Sequence, residues 1–397
     1  MLHTDVAIVG GGLAGSTAAA MLGRAGIGTV LIDPHQRYPQ DFRCEKLDAT
    51  QVRLLRATGI ADAVLRAATP DLEVWIARFG RLVDKRPSGQ YDLLYDDLVN
   101  TIRAQIPGRV RFIRGKAAAI TTSYMRQRVT LSSGEDISAR LIVLANGLNV
   151  GLRQSLGIGR DILSVCHSIS IGFDLVPVGR AAFGFRALTY YPERAADRMA
   201  YLTLFPIGSV MRANLFVYRD MNDPWLREMR QAGPQALFAL MPGLRKLTGE
   251  VEVRDVKVRP VDLYASTGYR QAGIALVGDA FATSCPAAGT GCNKVFTDVE
   301  RLCNHHIPDW LASPGMEREK VFAFYDDAIK TACDRASEAK AFHLRALSTA
   351  TGPSWRARRL VRFVGQLGRG ALRGAHERLS ARPRAAAGSE AMVKAPR

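Results

Sequence analysis

Short apolar runs alternate with helical stretches along the first part of the chain. Residues 6–9 form an apolar run, 10–15 a glycine turn, 16–24 a stretch suited to a helix, and 28–32 a second run. Such runs, continuous rather than alternating, predict strands of a parallel sheet buried on both faces. Residues 91–106 read as helix, and 110–113 and 128–131 as strands, the latter closed by Ser132, Ser133 and Gly134. Residues 140–144 and 274–277 are further buried strands. The texture changes between about 163 and 265. Segments such as HSISIGFDL, MAYLTLFPIG and MRANLFVYRD are β-branched and aromatic with turn residues between them, which predicts an antiparallel sheet. From 289 to about 350 the pattern is helical again.

At 397 residues and 47% hydrophobic composition, the chain can bury one large core or two interlocked ones. Its net charge of +17 would ordinarily raise nucleic acid or membrane as a partner. More than half of that excess, +9, lies in residues 354–397, so the charge describes a tail and no nucleic-acid partner is expected. The six cysteines show no CxxC pair or disulfide framework. The opening MLHTDVAIVGGG lacks the pattern of a secretory signal, and there is no apolar run of eighteen residues. The expected compartment is the cytoplasm.

Candidate chemistry begins at Gly10-x-Gly12-x-x-Gly15, placed directly after a strand and opening a helix. Gly10 permits the tight turn, Gly12 lets backbone approach a pyrophosphate, and Gly15 lets helix and strand pack closely. The helix start offers free N–H groups and a positive dipole end to phosphates. Asp33 closes the second strand, where its carboxylate can accept from ribose hydroxyls. This motif by itself does not separate FAD from NAD.

The segment GDAFATSCPAAGTGCNKVFTDVERL (278–302) resembles the GDxxxxxxPxxGxGxNxxxxDxxxL pattern of FAD-dependent aromatic-hydroxylase-type monooxygenases. That superfamily also holds ubiquinone-biosynthesis hydroxylases, flavin halogenases and geranylgeranyl reductases. Gly278, Asp279, Pro286, Gly289, Gly291, Asn293, Asp298 and Leu302 fall at its spacing. The resemblance implies that Asp279 binds the ribityl chain of FAD, and that the turn from Gly289 to Asn293 offers a helix start to the flavin ring. Two further stretches align. RCEKLDATQVRLLRATGI sits where the family carries an FAD-contacting arginine, here Arg43. LIVLANGLNVGLRQSLGI (141–158) matches the segment written ADGxxSxxRxxLGI, with Ala145, Gly147, Arg153, Leu156, Gly157 and Ile158 in register.

The fold implied is a doubly wound, Rossmann-like α/β FAD domain with an inserted antiparallel β-sheet substrate domain and a helical C-terminus. Its division is 1–162 and 266–350 for the FAD domain, 163–265 for the β-rich domain, and 351–397 for a basic helix and disordered tail. The implied function is monooxygenation of a small aromatic or isoprenoid-like molecule through a flavin C4a-hydroperoxide, with NAD(P)H as electron donor. Two alternatives stay open: reduction of a C=C bond in the manner of geranylgeranyl reductases, and flavin binding without turnover. No side chain is singled out as catalytic.

The chain departs from the family pattern in places. The usual Asp-Gly is Asn146-Gly147, and the usual Ser is Val150; an amide removes a charge able to orient an arginine, which leaves the electron donor open. The histidine often found in GDAAH is Ala282. A position often occupied by an FAD-contacting arginine falls near Tyr95, where that contact is absent. The W-x-W segment of the halogenases does not occur, so halogenation is not expected. His167 reads as a structural strand residue. Cys303, His305 and His306 diverge on a helix and no metal site is expected; Cys285 and Cys292 read as small buried residues. Finally, 355–378 repeats apolar residues at Leu360, Phe363, Val364 and Leu367 among arginines. Such a helix either docks on its own domain or rests on an anionic membrane surface.

Overall fold

The apolar run that opens the chain becomes β1 (Leu2–Val9), whose last four residues are buried. In the computed structural model, which describes residues 1–192 and 194–381, β1 lies inside a seven-stranded sheet. It pairs in parallel with β2 (Thr29–Asp33) on one side and β9 (Asp136–Leu144) on the other. Beyond β2 lies β6 (Arg111–Arg114), and β15 (Ile274–Leu276) runs parallel to the second half of β9. The first half of β9 carries an antiparallel arm, β8 (Gln127–Leu131) and β7 (Ala117–Thr121).

Both faces of this sheet are covered, as its continuous apolar strands require. On one face Val6, Ile8, Leu31, Leu141 and Val143 pack beneath α1 (Leu13–Arg24) and α9 (Gly291–Arg301). On the other, Ala7, Val9, Ile32, Ile142 and Leu144 meet Ile120, Val129 and Leu131 of the antiparallel arm. Further helices flank α1: α2 (Ala49–Ala57), α3 (Ala61–Ala67) and α4 (Tyr95–Arg103). The short α5 (Gly151–Gln154) follows β9. The start of α2 is set locally by a capping box, in which Asp48 accepts from the backbone of Thr50 and Gln51 while Gln51 reaches back to the Asp48 N–H.

The second sheet has eight strands in the order β14-β10-β13-β12-β11-β4-β5-β3. They are β3 (Lys46–Leu47), β4 (Thr69–Arg78), β5 (Arg81–Asp92), β10 (Gly159–Pro177), β11 (Ala187–Tyr190), β12 (Met199–Ile207), β13 (Val210–Val217) and β14 (Val251–Thr267). All pairings are antiparallel except β11 with β4. Strands thus come from 46–92 as well as from the β-rich stretch. Within that stretch, α6 (Pro224–Gln231), α7 (Gly233–Leu240) and α8 (Leu244–Thr248) replace part of the expected sheet. Their apolar side chains, Leu226, Met229, Leu237 and Leu244 among them, pack on the sheet against Ile171, Phe173 and Leu215.

After α9 the chain continues through α10 (Ile307–Leu311), α11 (Arg318–Tyr325), α12 (Ala328–Thr349) and α13 (Pro353–Ala381). α13 docks on the β4–β5 hairpin through one face. Arg78 Nε donates to Gln366 Oε1 at 2.6 Å, Phe79 meets Phe363 edge-on at 5.0 Å, and Arg373 pairs with Asp84 at 2.7 Å. At Gly370 the helix comes so near β5 that a Cβ would lie 2.3 Å from the Val83 carbonyl oxygen. The residues expected to be disordered, after Ala381, lie outside the described residues. Among the described residues no helix is long and apolar enough to cross a membrane.

Candidate flavin site and its relatives

The turn between β1 and α1 is built by close approach. Gly10 has φ +104°, and a Cβ on Gly15 would lie 1.8 Å from the Gly10 carbonyl oxygen. Gly12, by contrast, has open space: a Cβ there would meet only the Tyr38 ring, at 3.8 Å. No side chain caps α1, and its first turn carries no acid, so its N–H groups and dipole are free for an anion.

Asp33 is buried beside this turn. Its Oδ2 accepts from Gly11 N at 2.7 Å, and its Oδ1 accepts from His35 N at 2.9 Å and pairs with Arg103 at 3.2 Å. A carboxylate has about four acceptor positions, so one remains for a ribose hydroxyl. Arg103 also donates twice to the Gly11 carbonyl oxygen, at 2.9 and 2.6 Å. Sequence reasoning missed this residue. It sits in the last turn of the helix that begins at Tyr95, so an arginine does reach the phosphate turn from that helix. The signal was available only as a basic residue eight positions further on, two helical turns that bring it over the turn.

The second motif is held by three supports. Asp298 and Lys330, both fully buried, pair at 2.8 Å, and the other Asp298 oxygen accepts from Gly278 N at 2.9 Å. Lys330 and Lys294 both pair with Asp334, at 2.9 and 3.0 Å. Tyr264 donates its hydroxyl to the Asp279 carbonyl oxygen at 2.6 Å. Arg153, buried, donates to the Ala280 and Gly147 carbonyls, which ties the 141–158 segment to the Gly278-Asp279 motif. Asn146 uses its amide as a donor to the Asn149 carbonyl oxygen at 3.1 Å, a role that the family's ionised aspartate could not fill.

Arg43 and Asp279, distant in sequence, pair at 2.8 Å. Arg43 also donates to Asp41 at 2.6 Å, and Arg259 reaches the same carboxylate at 2.7 Å. Burial opposes the charge on Asp41, but Arg43 and Arg259 outweigh it and hold its carboxyl below the usual range. A single 3-10 turn (Pro286–Ala288) leads into Gly289, which has nothing within 4 Å of its Cβ position. α9 then starts at Gly291, again with no side-chain cap and no acid in its first turn. Gln51 steadies this turn, donating to the Gly289 carbonyl oxygen at 2.9 Å and to Asn293 Oδ1 at 3.0 Å.

Two uncapped, acid-free helix starts therefore stand at the two glycine turns, with open space at Gly12 and Gly289 and an acid-base pair, Arg43 and Asp279, available nearby. This donor set fits a dinucleotide bearing a flavin: one helix start suits a pyrophosphate, the other the negative charge that a reduced ring carries. Against the Pro286–Ala288 turn lies a wall from the second sheet and α12: Tyr218, Leu263, Ala341 and, partly buried, Tyr201 and Phe216. Tyr201 donates its hydroxyl to the Ala287 carbonyl oxygen at 2.6 Å.

Other candidate residues have partners within the fold. His167 is buried among Tyr218 and Phe342, and burial lowers its pKa, which keeps the ring neutral. Cys303 is buried, while His305 pairs with Glu300 and His306 with Asp327, each at 3.1 Å. Among the described residues no group of three or more His, Cys, Asp or Glu is placed to hold a metal. Cys285 is fully buried, 3.5 Å from the Ser168 hydroxyl.

Residues 3–305 match the family described as FAD binding domain. The chain is 27% identical over 353 residues to the 3-demethoxyubiquinol 3-hydroxylase of Escherichia coli (strain K12), covering 82% of this chain and 87% of the relative. It is 26% identical over 344 residues to the ubiquinone hydroxylase UbiL of Rhodospirillum rubrum, covering 76% of this chain and 72% of that one. The fold is that of the crystal structure of p-nitrophenol 4-monooxygenase PnpA from Pseudomonas putida DLL-E4, with TM-score 0.73, 17% identity, and coverage of 91% and 94%. By these matches, which span both glycine motifs, the chain belongs to the FAD binding domain family and is an FAD-dependent monooxygenase of the aromatic-hydroxylase type.

Proposed function

We propose that this monooxygenase hydroxylates an electron-rich ring of the quinol or phenol class, with electrons from NAD(P)H. The observation that carries the reading is the wall facing the Pro286–Ala288 turn. It is apolar and aromatic, and the hydroxyl of Tyr201 is already committed to the Ala287 carbonyl. Aromatic side chains packed beside this turn suit a site that stacks a flat ring and excludes water. One relative is named for 3-demethoxyubiquinol, a ring of that class. When bound, FAD supplies the activation of dioxygen and the transfer of one oxygen atom. In this reading, Gly10, Gly12 and Gly15 with the start of α1 hold the pyrophosphate, and Asp33 takes a ribose hydroxyl. Arg43 and Asp279 hold the flavin's sugar-like chain, while Pro286, Gly289, Gly291 and Asn293 shape the turn beneath the ring.

The test follows the flavin's ~450 nm band as NADPH and then NADH are added without oxygen, with and without a short-chain quinol. Bleaching, followed by incorporation of one labelled oxygen atom into the quinol when labelled dioxygen is admitted, is expected. Bleaching with no labelled product would overturn the hydroxylation of this ring class.

One observation favours a further reading, peripheral contact with an anionic membrane. α13 docks through Arg359, Phe363, Gln366, Gly370 and Arg373, and turns the opposite face outward. On that face Val361 and Leu372 are 71% and 73% exposed, with Val364 and Leu360 also bare. An exposed apolar strip flanked by arginines suits the interface of a lipid bilayer. Val361→Asp with Val364→Asp is expected to abolish co-sedimentation with phosphatidylglycerol vesicles while FAD content is kept. Undiminished vesicle binding would refute this contact.

A further inference from the structure

A cleft of about 490 Å³ opens between the start of α13 and the 3-10 turn Ala195–Asp197, with Phe79 and Leu360 on its walls. Behind it, sharing Phe79, Ala195 and Arg359, lies a narrower recess of about 60 Å³ bounded by Arg78, Tyr191 and Leu344. No Asp or Glu among the described residues lines either space, whereas Arg78, Arg194, Arg356, Arg359 and Arg362 do. Two of these are already engaged: Arg194 pairs with Asp197, and Arg359 donates to the carbonyls of Leu347 and Ala350.

Arg78 stands out. It is only 5% exposed. Its Nε donates to the neutral oxygen of Gln366 at 2.6 Å and its guanidinium lies 4.0 Å from the centre of the Tyr191 ring. Its Nη2 is buried with no hydrogen-bond partner. The other two buried arginines among the described residues are satisfied. Arg212 is gripped by Glu45 and Asp174, and Arg153 donates to three carbonyls. Burial lowers its pKa to about 10; Tyr191 opposes this shift, and a second cation, Arg362, adds to it. A buried cation with an unmet donor, and with no acid paired to it among the described residues, is unfavourable unless something supplies the anion.

We propose that this cleft binds an oxyanion carried on an apolar body, a phosphate or carboxylate with an alkyl or aryl tail. The oxyanion sits in the recess against Arg78, whose flat fork of donors suits two oxygens of one group. The tail runs outward past Phe79 and Leu360. Leu360 also belongs to the exposed strip of α13, so a soluble amphiphile and a membrane lipid headgroup present the same chemistry to this site. The site lies one layer of side chains from the flavin turn, since Ala200 and Leu344 line the recess and also pack in the cluster that holds Cys285, Ala287 and Ala288. The proposal does not depend on the membrane contact or the ring substrate proposed above.

The experiment uses the FAD-loaded full chain. Decyl phosphate and decanoate, kept below their micelle concentrations, are titrated by calorimetry, with decanol as the uncharged control. Phosphatidylglycerol vesicles are presented separately. Saturable binding of decyl phosphate is expected, absent for decanol, weakened roughly tenfold or more by Arg78→Gln with FAD content unchanged, and accompanied by a shift in the visible flavin spectrum. Ala196→Trp, which fills the cleft from its rim, gives the same loss and decides the matter if Arg78→Gln does not fold. If Arg78→Gln also weakens vesicle binding and decyl phosphate displaces the protein from vesicles, the anion is a lipid headgroup. If vesicle binding is untouched, it is a soluble amphiphile. No saturable binding by the natural chain, or equal affinity in the variants, overturns the proposal.

Discussion

Arg103 provides the sharpest test of how the phosphate turn is organised. Replacing it by methionine keeps the length of the side chain and removes two hydrogen bonds to the Gly11 carbonyl oxygen, one each to the carbonyl oxygens of His35 and Gln36, and the ion pair with Asp33. Asp33 would keep the Gly11 and His35 N–H groups, so its carboxylate is not orphaned and the loss is less than the sum of the contacts removed. A charged hydrogen-bonding partner of this kind contributes about 1.5–3 kcal/mol, which converts to a rise of about 10- to 150-fold in the FAD dissociation constant. Arg103→Lys should recover only part of that, because an ammonium cannot donate twice to one carbonyl and reach Asp33 in the same geometry. The assay is titration of stripped protein with FAD, following flavin fluorescence. ADP should lose affinity by a similar factor, since it carries the half of FAD that this turn would meet. A purely structural defect would instead lower the urea midpoint and leave the ratio of FAD to ADP affinity unrelated to the turn. An FAD dissociation constant within twofold of the natural chain would refute the reasoning.

Gly15→Ala should abolish FAD retention through purification, because the added Cβ would lie 1.8 Å from the Gly10 carbonyl oxygen and forces the turn open; a fully yellow variant would contradict this. Asp279→Ala should likewise yield colourless protein with an unchanged far-ultraviolet spectrum, and full retention of colour would remove Asp279 from the flavin site. Lys330→Met should cost about 3–5 kcal/mol in urea denaturation at pH 8 by leaving the Asp298 carboxylate buried without its cation. Burial already raises the pKa of Asp298. The folded variant therefore binds a proton that the unfolded chain releases, and this stabilisation is present at low pH and lost as pH rises through the folded pKa. The deficit should thus be smaller at pH 5 than at pH 8, and a deficit independent of pH would show that Asp298 is not the group left uncompensated.

The local features of this protein were legible in its sequence because their causes are local. The run 6–9, three spaced glycines and Asp33 specify a strand, a turn that only glycine can close, and a second strand in parallel, whatever the rest of the chain does. Gly278 to Leu302 was legible in another way, since its resemblance to a family pattern implied a turn followed by a helix start. What joins the motifs was not legible. Arg103 reaches Gly11, Gln51 reaches Gly289, and Lys330 reaches Asp298 across 92, 238 and 32 residues, and no period or spacing records such pairs. The helices from 224 to 248 escaped notice because each is short, and their apolar side chains look alike in a strand or a helix until a sheet exists for them to cover. The basic helix at the end of the chain shows the division most clearly. Its amphipathic pattern is written in the sequence, but the pattern cannot state which face will dock. Packing against the β4–β5 hairpin chose the face of Phe363, Gln366 and Gly370, left Val361 and Leu372 bare, and buried Arg78 beside it, with no acid paired to it among the described residues.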